Sequence, residues 1–575
     1  MLEKINKLSN RQVVLVILIV GLIVFCTGLF NPFQGDDSLQ IVKNVPVHSL
    51  TNIKLFFEGG TLYNGGGVAP LVGDYRPLMT TAFSLIYTFF GLHTFFYHFF
   101  QLLLYASSAV FLFLIFKQTF KTVLLPLILS LIFLVHPLNS QVALAIPSMQ
   151  DVLFFFFGIL GFYILISYKS VSRLWLVSLC FLLSMLSKET GILFIGLALL
   201  YLFWWSRKRF FTSIAFMVVP AGLWLALRLN AVGLNNPNIA PIDRLNLVGR
   251  LLTLPSILLF YLAKFIFPWK LASGYYWVHP TFSARYVLVP LLIDLAVLGI
   301  AIYLGFAVHR KASKTLYHKY LFFSVWLVLG LLTLSQIITL DMTASETWFY
   351  FSMSGLLGMI GVAVKTFSKK INPSWLMAIA LLLIVLLGFR TLMRGIDWNN
   401  KYHLDKLDIA ASRQDYVADN DIANILIGQH KYAAAKVYAD QSIAIFPYFG
   451  NYNNLSTIYL DSGNIAEAKT IFDKGLGYGR YVDIYDNLGE ISLVQGNVNS
   501  NRLFFAQALN LFPEDGQLWF YKALFDGEHN DNTDAKTDIN NAVNFGYPVN
   551  QIIYRVIMNG QILAIHTNLG VINLQ

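Results

Sequence analysis

Charged residues are scarce in this chain, and cysteines are almost absent. Of the 575 residues only 13% are Asp, Glu, Lys or Arg, whereas 56% are hydrophobic. So little charge excludes an ordinary soluble protein and indicates a membrane protein with many spans. The two cysteines, Cys26 and Cys180, lie inside apolar stretches. Their positions exclude a disulfide framework and argue against thiol redox chemistry.

Acidic residues are nearly missing from one set of loops. The loops predicted to face the cytoplasm carry 17 lysines and arginines, and only Glu3 opposes them. Because cytoplasmic loops of membrane proteins are enriched in Lys and Arg, the net charge of +10 reflects membrane topology rather than nucleic-acid binding. The other loops hold the acids Asp36, Asp37, Glu58, Asp74, Asp151, Glu189, Asp243, Asp341 and Glu346.

The apolar stretches predict a bundle of about eleven membrane spans over residues 1–393. The predicted spans are 12–30, 95–117, 121–136, 152–168, 173–188, 190–206, 209–228, 286–308, 320–337, 349–366 and 374–393. Two more apolar stretches, 78–92 and 251–267, are interpreted as interfacial or re-entrant helices because they carry flanking charge or an internal proline. The long loop 31–94 between the first two spans is expected to contain interfacial helices.

After the last span the composition becomes polar, and a period near 33 residues appears in residues 394–575. Small and apolar residues recur at this spacing, as Ala435 and Ala468 and then Ile443, Leu476 and Leu509 show. The pattern resembles tetratricopeptide (TPR) repeats, so we expect a soluble α-solenoid. An odd number of spans from a basic inner N-terminus would place it on the extracytoplasmic side of the cell membrane.

Residues that could act in catalysis or ligand binding occur in the loops predicted to be extracytoplasmic. Asp36 and Asp37 directly follow the first span, where a lipid-carried donor and a water-borne acceptor can meet. A solvated helix end is the alternative interpretation of this pair. Arg76 could bind a phosphate or extend to lipid headgroups, and the turn at Lys188 and Glu189 could bind a ligand or simply cap two spans.

Taken in order, these residues resemble the transmembrane and TPR family of O-mannosyltransferases and its bacterial relatives, in the GT-C glycosyltransferase class. The resemblance covers nearly the whole chain. The matching residues are Asp36-Asp37 with Ile41 and Asn44, Tyr75-Arg76-Pro77-Leu78, His136-Pro137 with Asp151, Lys188-Glu189, Phe267-Pro268-Trp269 with Leu271, Glu346-Thr347-Trp348-Phe349-Tyr350, and the stretch from Arg390 to Trp398. In that family an Arg commonly follows the glutamate that Glu346 matches, whereas this chain has Thr347.

The resemblance implies transfer of a sugar, with inversion, from a polyprenyl-phosphate carrier to an acceptor hydroxyl, expected to be a protein Ser or Thr. It implies that Asp36 is the general base and Asp37 its partner, although the two roles could be exchanged. Candidate donor-binding residues are Arg76, His136, Lys188, Arg244 and Arg250, with Arg228 and Arg285 as further misplaced cations. Candidate acceptor-binding or supporting residues are Asn44, Tyr75, Asp151, Glu189 and Glu346.

Cofactors, partners and competing functions follow from the same pattern. We expect no required cofactor, with Mg²⁺ or Mn²⁺ left open because oxygen ligands suit them. The expected partners are the lipid carrier, a protein or glycan acceptor and a protein bound by the repeats, in a membrane that we expect to be prokaryotic. Two alternatives are transfer of a glycan from a lipid pyrophosphate, and a nonenzymatic membrane-anchored TPR scaffold or a transporter.

Overall fold

The computed structural model describes residues 6–61, 73–233, 239–368, 372–495, 497–561, 563–566 and 571–574. The chain divides into two compact units, of which the first ends at Arg413 and the second begins at Gln414. The glycine-rich stretch at 65–67 in the predicted first loop lies outside the described residues. Each unit is described separately below.

The first unit is a bundle of α-helices with short 3₁₀ and π turns between them. Its helices are α1 (Asn10–Phe25), α2 (Ile53–Glu58), α3 (Pro77–Phe90), α4 (Thr94–Phe120), α5 (Leu124–Val135), α6 (Ser140–Leu144), α7 (Met149–Ser167), α8 (Leu174–Ser187), α9 (Ile192–Trp205), α10 (Arg207–Ala231), α11 (Leu247–Ile266), α12 (Val289–Lys311), α13 (Lys314–Thr333), α14 (Tyr350–Phe367), α15 (Pro373–Asp397) and α16 (Lys401–Ala411).

Among the described residues, nine helical stretches are long and apolar enough to cross a membrane. They are Asn10–Phe30, Thr94–Phe120, Ile146–Ser167, Arg207–Ala231, Leu247–Ile266, Ala284–Lys311, Lys314–Thr333, Glu346–Phe367 and Ser374–Asp397. Helix α5 and the following stretch Pro137–Leu144 make a tenth if counted as one span bent by 53°. The shorter apolar helices are Pro77–Phe90, Val171–Ser187 and Glu189–Trp205. The prediction of a multi-pass membrane protein is confirmed.

One predicted interfacial segment is part of a long, continuous helix in the structure. The stretch 251–267 forms most of α11, a continuous helix of 20 residues that qualifies as a span by length and composition. Pro255 lies inside this helix without ending it. Apolar helices tolerate an internal proline where neighbouring groups satisfy the freed backbone carbonyl. The proline was therefore weak evidence against a span.

Aromatic side chains fill the centre of the bundle, where α4, α5, α7 and α14 meet. The ring of Tyr350 lies 4.5 Å from that of Phe155 and 5.0 Å from that of Phe133, measured between centroids. The hydroxyl of Tyr105 donates a 2.8 Å hydrogen bond to the carbonyl of Leu134, at the end of α5. Because a buried tyrosine hydroxyl needs a partner, this bond fixes α4 against the end of α5.

The second unit contains four helical hairpins, as the 33-residue period predicts. Its helices are α17 (Tyr416–Gly428), α18 (Tyr432–Ile445), α19 (Phe449–Asp461), α20 (Ile465–Leu476), α21 (Val482–Val494), α22 (Val498–Leu511), α23 (Gly516–Glu528), α24 (Asn532–Asn544) and α25 (Gln551–Asn559). The first helices of the hairpins begin at Tyr416, Phe449, Val482 and Gly516, so their starts are 33, 33 and 34 residues apart. Ala435 and Ala468 are fully buried, which permits the close approach of paired helices.

Two details depart from the predicted architecture. The predicted boundary after residue 393 falls inside α15, and the first unit continues to Arg413. The reason is a buried ion pair between Arg394 and Asp408, 3.2 Å apart, that ties α16 to α15. The all-α prediction also omits a short antiparallel hairpin, in which β1 (Leu563–His566) pairs with β2 (Val571–Leu574).

Candidate active site

The loop after the first span presents the two adjacent aspartates differently. Gly35 has φ of +53°, a left-handed conformation that glycine adopts readily, and it turns the chain just before the pair. Asp36 is exposed, whereas the side chain of Asp37 is buried and accepts a 2.7 Å hydrogen bond from the N–H of Gln34. Burial raises the pKa of Asp37 to about 7, with a further rise from Asp36 and an opposing effect of the Gln34 bond. The pair therefore combines an exposed carboxylate with a buried one that titrates near neutrality.

Backbone carbonyls late in the first unit hold this loop in place. The side-chain amide of Asn31 donates a 3.2 Å hydrogen bond to the carbonyl of Gly395. That of Gln34 donates to the carbonyl of Trp398. The guanidinium of Arg394 lies 5.9 Å from the centroid of the Trp398 ring. The position of the aspartate pair thus depends on the C-terminal part of α15 and the residues that follow it.

A cluster of charged side chains joins four separate segments of the chain. We call it the Arg76 cluster, and its members are Asp74, Arg76, Asp151, Lys188, Glu189 and Asp341. Arg76 lies 3.0 Å from Asp74, and Lys188 lies 2.7 Å from Asp151. Asp151, Glu189 and Asp341 also act electrostatically on Arg76. The structure thus brings together Arg76, Lys188, Asp151 and Glu189, which the sequence placed in one predicted site.

A tight turn after α8 delivers Lys188 and Glu189 to the cluster. A Cβ atom at Gly191 would lie 2.5 Å from the carbonyl carbon of Ser184, so only glycine fits this turn. Within the described chain, Oε2 of Glu189 is buried and accepts no hydrogen bond. Arg228, near the end of α10, acts electrostatically on Glu189 and brings a third cation toward the cluster.

Acids outnumber cations in the Arg76 cluster, and the pKa of one of these acids, Asp341, is raised. Desolvation by the surrounding protein and the neighbouring Asp74 raise the pKa of Asp341 to about 6, against the opposing effects of Arg76 and Lys188, although the residue keeps an exposed surface. Asp341 is therefore neutral in part of its population slightly below neutral pH. The Nε of Arg76 is buried and donates to no acceptor in the described residues, so the guanidinium retains a donor for an incoming anion.

A second buried network surrounds Glu346, at the start of the segment that leads into α14. Its Oε1 accepts a 2.8 Å hydrogen bond from the Tyr275 hydroxyl and a 2.9 Å bond from the N–H of Ala272. Lys264 and Arg394 act electrostatically on the same carboxylate. In the resembling family an arginine commonly follows this glutamate. Here Arg394 on α15 supplies a guanidinium from a different helix.

Three of the predicted donor-binding residues lie outside the Arg76 cluster as defined by these contacts. Both ring nitrogens of His136 are engaged by backbone groups, Nε2 with the carbonyl of Phe265 at 3.0 Å and Nδ1 with the N–H of Leu138 at 3.2 Å. These contacts favour a packing role. Arg250 donates to two carbonyls, of Gln336 and Ile337. Arg244 is exposed.

Two of the predicted supporting residues lie in or beside the first loop. Tyr75 is fully buried, and its hydroxyl donates a 3.3 Å hydrogen bond to the carbonyl of Phe57. Its contact anchors the backbone next to Arg76. Asn44 is buried, and its Oδ1 accepts no hydrogen bond from the described part of the chain.

Asp74, Asp341, Tyr275 and Arg394 were not among the predicted site residues. The sequence offered a signal for the first two, because both are acids in loops predicted to be extracytoplasmic and Asp74 lies two positions from Arg76. Arg394 lies in the stretch from Arg390 to Trp398 that resembles the family, but no pattern linked it to Glu346. Tyr275 carried no signal, since its contact with Glu346 joins segments that are far apart in the chain.

Comparison with known proteins gives local matches to one family. No family model matches the chain. The chain is 29% identical over 205 residues to the protein O-mannosyl-transferase TMTC1 of Mus musculus, 30% over 196 residues to tmtc2 of Xenopus laevis, and 27% over 202 residues to TMTC3 of Homo sapiens. The predicted resemblance to this family is confirmed. The matches cover 32–34% of this chain and 21–23% of those relatives, so the chain spans only about a fifth of their length.

Solved protein structures match the chain as well. ArnT from Cupriavidus metallidurans, crystallised with undecaprenyl phosphate, aligns with 83% of this chain and 80% of its own, at 14% identity and a TM-score of 0.38. A structural similarity this low gives no information about the site or its ligands.

Proposed function

We propose that this chain is a GT-C glycosyltransferase that moves a sugar from a polyprenyl-phosphate carrier to a protein Ser or Thr hydroxyl on the extracytoplasmic side of the membrane. The observation that carries the proposal is the Arg76 cluster, in which loops from distant parts of the chain bring the half-buried Arg76 and the buried Lys188 among the same acids. The local similarity to O-mannosyl-transferases supports the same reaction class.

The aspartate pair supplies the base. Asp36 is exposed and takes the proton of the acceptor hydroxyl as that oxygen attacks the anomeric carbon. The sugar–phosphate bond breaks on the opposite face of the sugar, which inverts the configuration. Ionised Asp37 beside Asp36 makes Asp36 a stronger base because two neighbouring negative charges repel each other.

The Arg76 cluster stabilises the departing lipid phosphate. The N–H group at Nε of Arg76 and the ammonium of Lys188 stabilise the negative charge that develops on the leaving phosphate oxygen. Arg228 adds a third cation. Protonation of Asp341 removes one repulsive charge from this site. Donor binding is therefore expected to weaken as the pH rises through about 6, where Asp341 ionises.

An apolar groove between two helices whose ends carry Lys188 and Arg228 suits the lipid chain. A cavity of about 440 Å³ lies between α8 and α10, lined by Trp175, Leu179, Phe216, Val219 and Leu223. Helix α8 ends at Ser187, directly before Lys188, and Arg228 lies in the last turn of α10. A polyprenyl chain in this groove would bring its phosphate to the Arg76 cluster.

Metal independence stays a prediction. In the described part of the chain, no group of three His, Cys, Asp or Glu side chains is arranged to hold a metal ion. If the prediction is right, EDTA should leave turnover unchanged. Restoration of activity by Mg²⁺ or Mn²⁺ after chelation would contradict it.

Transfer by the purified full chain tests the proposal directly. The assay uses a synthetic polyprenyl-phosphate mannose and a Ser/Thr-rich peptide, with the glycopeptide identified by mass spectrometry. Asp36→Asn keeps the shape of the side chain but removes its basicity, so turnover should fall by about 10²–10⁴-fold. Asp243→Asn changes an exposed acid in another extracytoplasmic loop and serves as the matched control. Normal turnover by Asp36→Asn would eliminate the assigned base.

A further inference from the structure

Three lysines from separate segments of the first unit converge at the C-terminal end of α4. The ammonium of Lys319, on α13, donates to the carbonyl of Thr119, and that of Lys365, on α14, donates to the carbonyl of Phe120. Lys121 directly follows α4 and has a left-handed backbone with φ of +55°. Lys365 and Lys121 both act electrostatically on Lys319. We call these three residues the Lys319 cluster.

The positive charge of the Lys319 cluster has no neighbouring acid. Helices α4, α5, α13 and α14 contain neither Asp nor Glu. In the described part of the chain, none of the three lysines forms an ion pair with a carboxylate. Three like charges this close together repel one another, and an anion between them would remove that repulsion.

Capping of α4 explains only part of this arrangement. The last carbonyls of a helix lack partners within the helix and attract cations, so Lys319 and Lys365 stabilise the end of α4. An ammonium group has three donors, however, and within the described residues each of these two lysines uses one. Capping also gives no reason for the third cation, Lys121. The cluster therefore retains both donors and charge for a further anion.

Aromatic side chains pack between the same three helices next to the cluster. The ring of Phe323, on α13, lies 5.8 Å from that of Phe116 and 6.5 Å from that of Phe120, measured between centroids. A Cβ atom at Gly361, on α14, would lie 2.6 Å from the Phe120 ring, so glycine allows this close packing. The cluster thus joins positive charge to apolar surface at one end of the bundle, as an amphipathic anion requires.

We propose that the Lys319 cluster binds the headgroup of an anionic phospholipid from the cytoplasmic leaflet. All three lysines belong to the loops predicted to face the cytoplasm, and the positive-inside bias predicts their side of the membrane but not their convergence. Basic pockets between membrane helices on that side suit headgroups with more than one phosphate. Three cations without an acid favour a lipid with two negative charges, such as cardiolipin. The inference uses no residue of the candidate active site, so it is independent of the proposed sugar transfer.

Lipid binding by the full chain, purified in a neutral detergent, tests the inference. Cardiolipin, phosphatidylcholine and inorganic phosphate are titrated separately, with bound lipid counted by native mass spectrometry and the melting temperature measured in parallel. Cardiolipin should bind and raise the melting temperature, because a ligand of the folded state stabilises it, whereas phosphatidylcholine should do neither. An equal effect of phosphatidylcholine would refute the charge-based site. An equal effect of inorganic phosphate, at the same phosphate concentration, would overturn the assignment to a lipid.

Two pairs of variants locate the binding site. Lys319→Gln with Lys365→Gln removes two charges from the cluster, whereas Lys169→Gln with Lys208→Gln removes two exposed charges from other loops predicted to be cytoplasmic. Only the first pair should raise the Kd for cardiolipin, by about thirtyfold, which corresponds to about 1 kcal/mol per lysine. Equal losses in both pairs would reduce the effect to net charge and refute the assigned site.

A charge-preserving pair separates lipid binding from capping. Lys319→Arg with Lys365→Arg keeps both charges and the donors that reach α4, so cardiolipin should bind within about threefold of the wild type. The melting temperature without lipid shows whether each pair is folded, and the Arg pair keeps the test informative if the Gln pair unfolds. A folded Arg pair that binds cardiolipin no better than phosphatidylcholine would contradict the proposal.

Discussion

Asp37→Asn should remove both a pH dependence of turnover and a pH dependence of stability. Burial raises the pKa of Asp37 from its ordinary 3.8 to about 7. At pH 5 about 1% of this carboxyl is ionised, so wild-type turnover should lie about 100-fold below its value at pH 8 if an ionised Asp37 is required. The variant has no carboxyl to ionise, and its turnover should stay low and nearly flat across this range.

The same substitution, which lowers turnover, should make the folded protein more stable than the wild type at high pH. Because the pKa of Asp37 is higher in the folded protein than in the unfolded chain, protonation stabilises the fold fully below about pH 4. That stability is lost as the pH rises through about 7. Between pH 5 and pH 8 the wild type should therefore lose about 3 kcal/mol that the Asn variant keeps.

Two measurements on the same preparations check this reasoning. Thermal unfolding at pH 5 and pH 8 should show a fall in melting temperature for the wild type and a smaller fall for Asp37→Asn. Initial rates measured from pH 5 to pH 8 should rise with a midpoint near pH 7 in the wild type only. If the variant keeps this rise in rate at the same midpoint, another group titrates, and the raised pKa of Asp37 does not control turnover.

Other parts of the site give shorter tests. Arg76→Ala should raise the KM for the lipid donor far more than the KM for the acceptor, because the guanidinium is assigned to the donor phosphate; equal changes would remove it from that site. Asp151→Asn leaves the Lys188 ammonium buried without its carboxylate and should cost about 3–5 kcal/mol of stability, with partial recovery when Lys188→Met is added; strictly additive losses in thermal unfolding would argue against the pair. Asp341→Asn should strengthen donor binding above pH 6 and abolish its pH dependence in a titration with polyprenyl phosphate. A protease-sensitive tag fused after the last residue should be cleaved from outside intact cells, and cleavage only after lysis would reverse the proposed topology.

The sequence predicted the residues of the site that lie beside apolar helices. Asp36, Arg76 and Lys188 each follow or precede an apolar helix, so hydropathy and residue type were enough to place them in loops. The helical repeats were equally accessible, because small residues such as Ala435 and Ala468 recur at a fixed spacing. Hydropathy did not distinguish α11 from an interfacial helix, since a proline in an apolar segment permits both.

Contacts between distant segments were beyond the sequence pattern. Arg394 pairs with Asp408 and lies near Glu346, and nothing in a single sequence connects these positions. The environment of Asp37 has the same origin, because its pKa depends on burial that the whole bundle creates. His136 illustrates the converse, because its residue type suggested chemistry while its two backbone contacts favour packing.

The anchoring of the first loop has a consequence for biosynthesis. Asn31 and Gln34 are held by the carbonyls of Gly395 and Trp398, which leave the ribosome more than 360 residues later. The first span inserts long before those carbonyls are synthesised. The loop that carries the aspartate pair therefore lacks its anchoring hydrogen bonds while the bundle forms. Because those carbonyls belong to the last membrane helix and the residue that follows it, the nascent protein should acquire a correctly placed base only when that helix has docked.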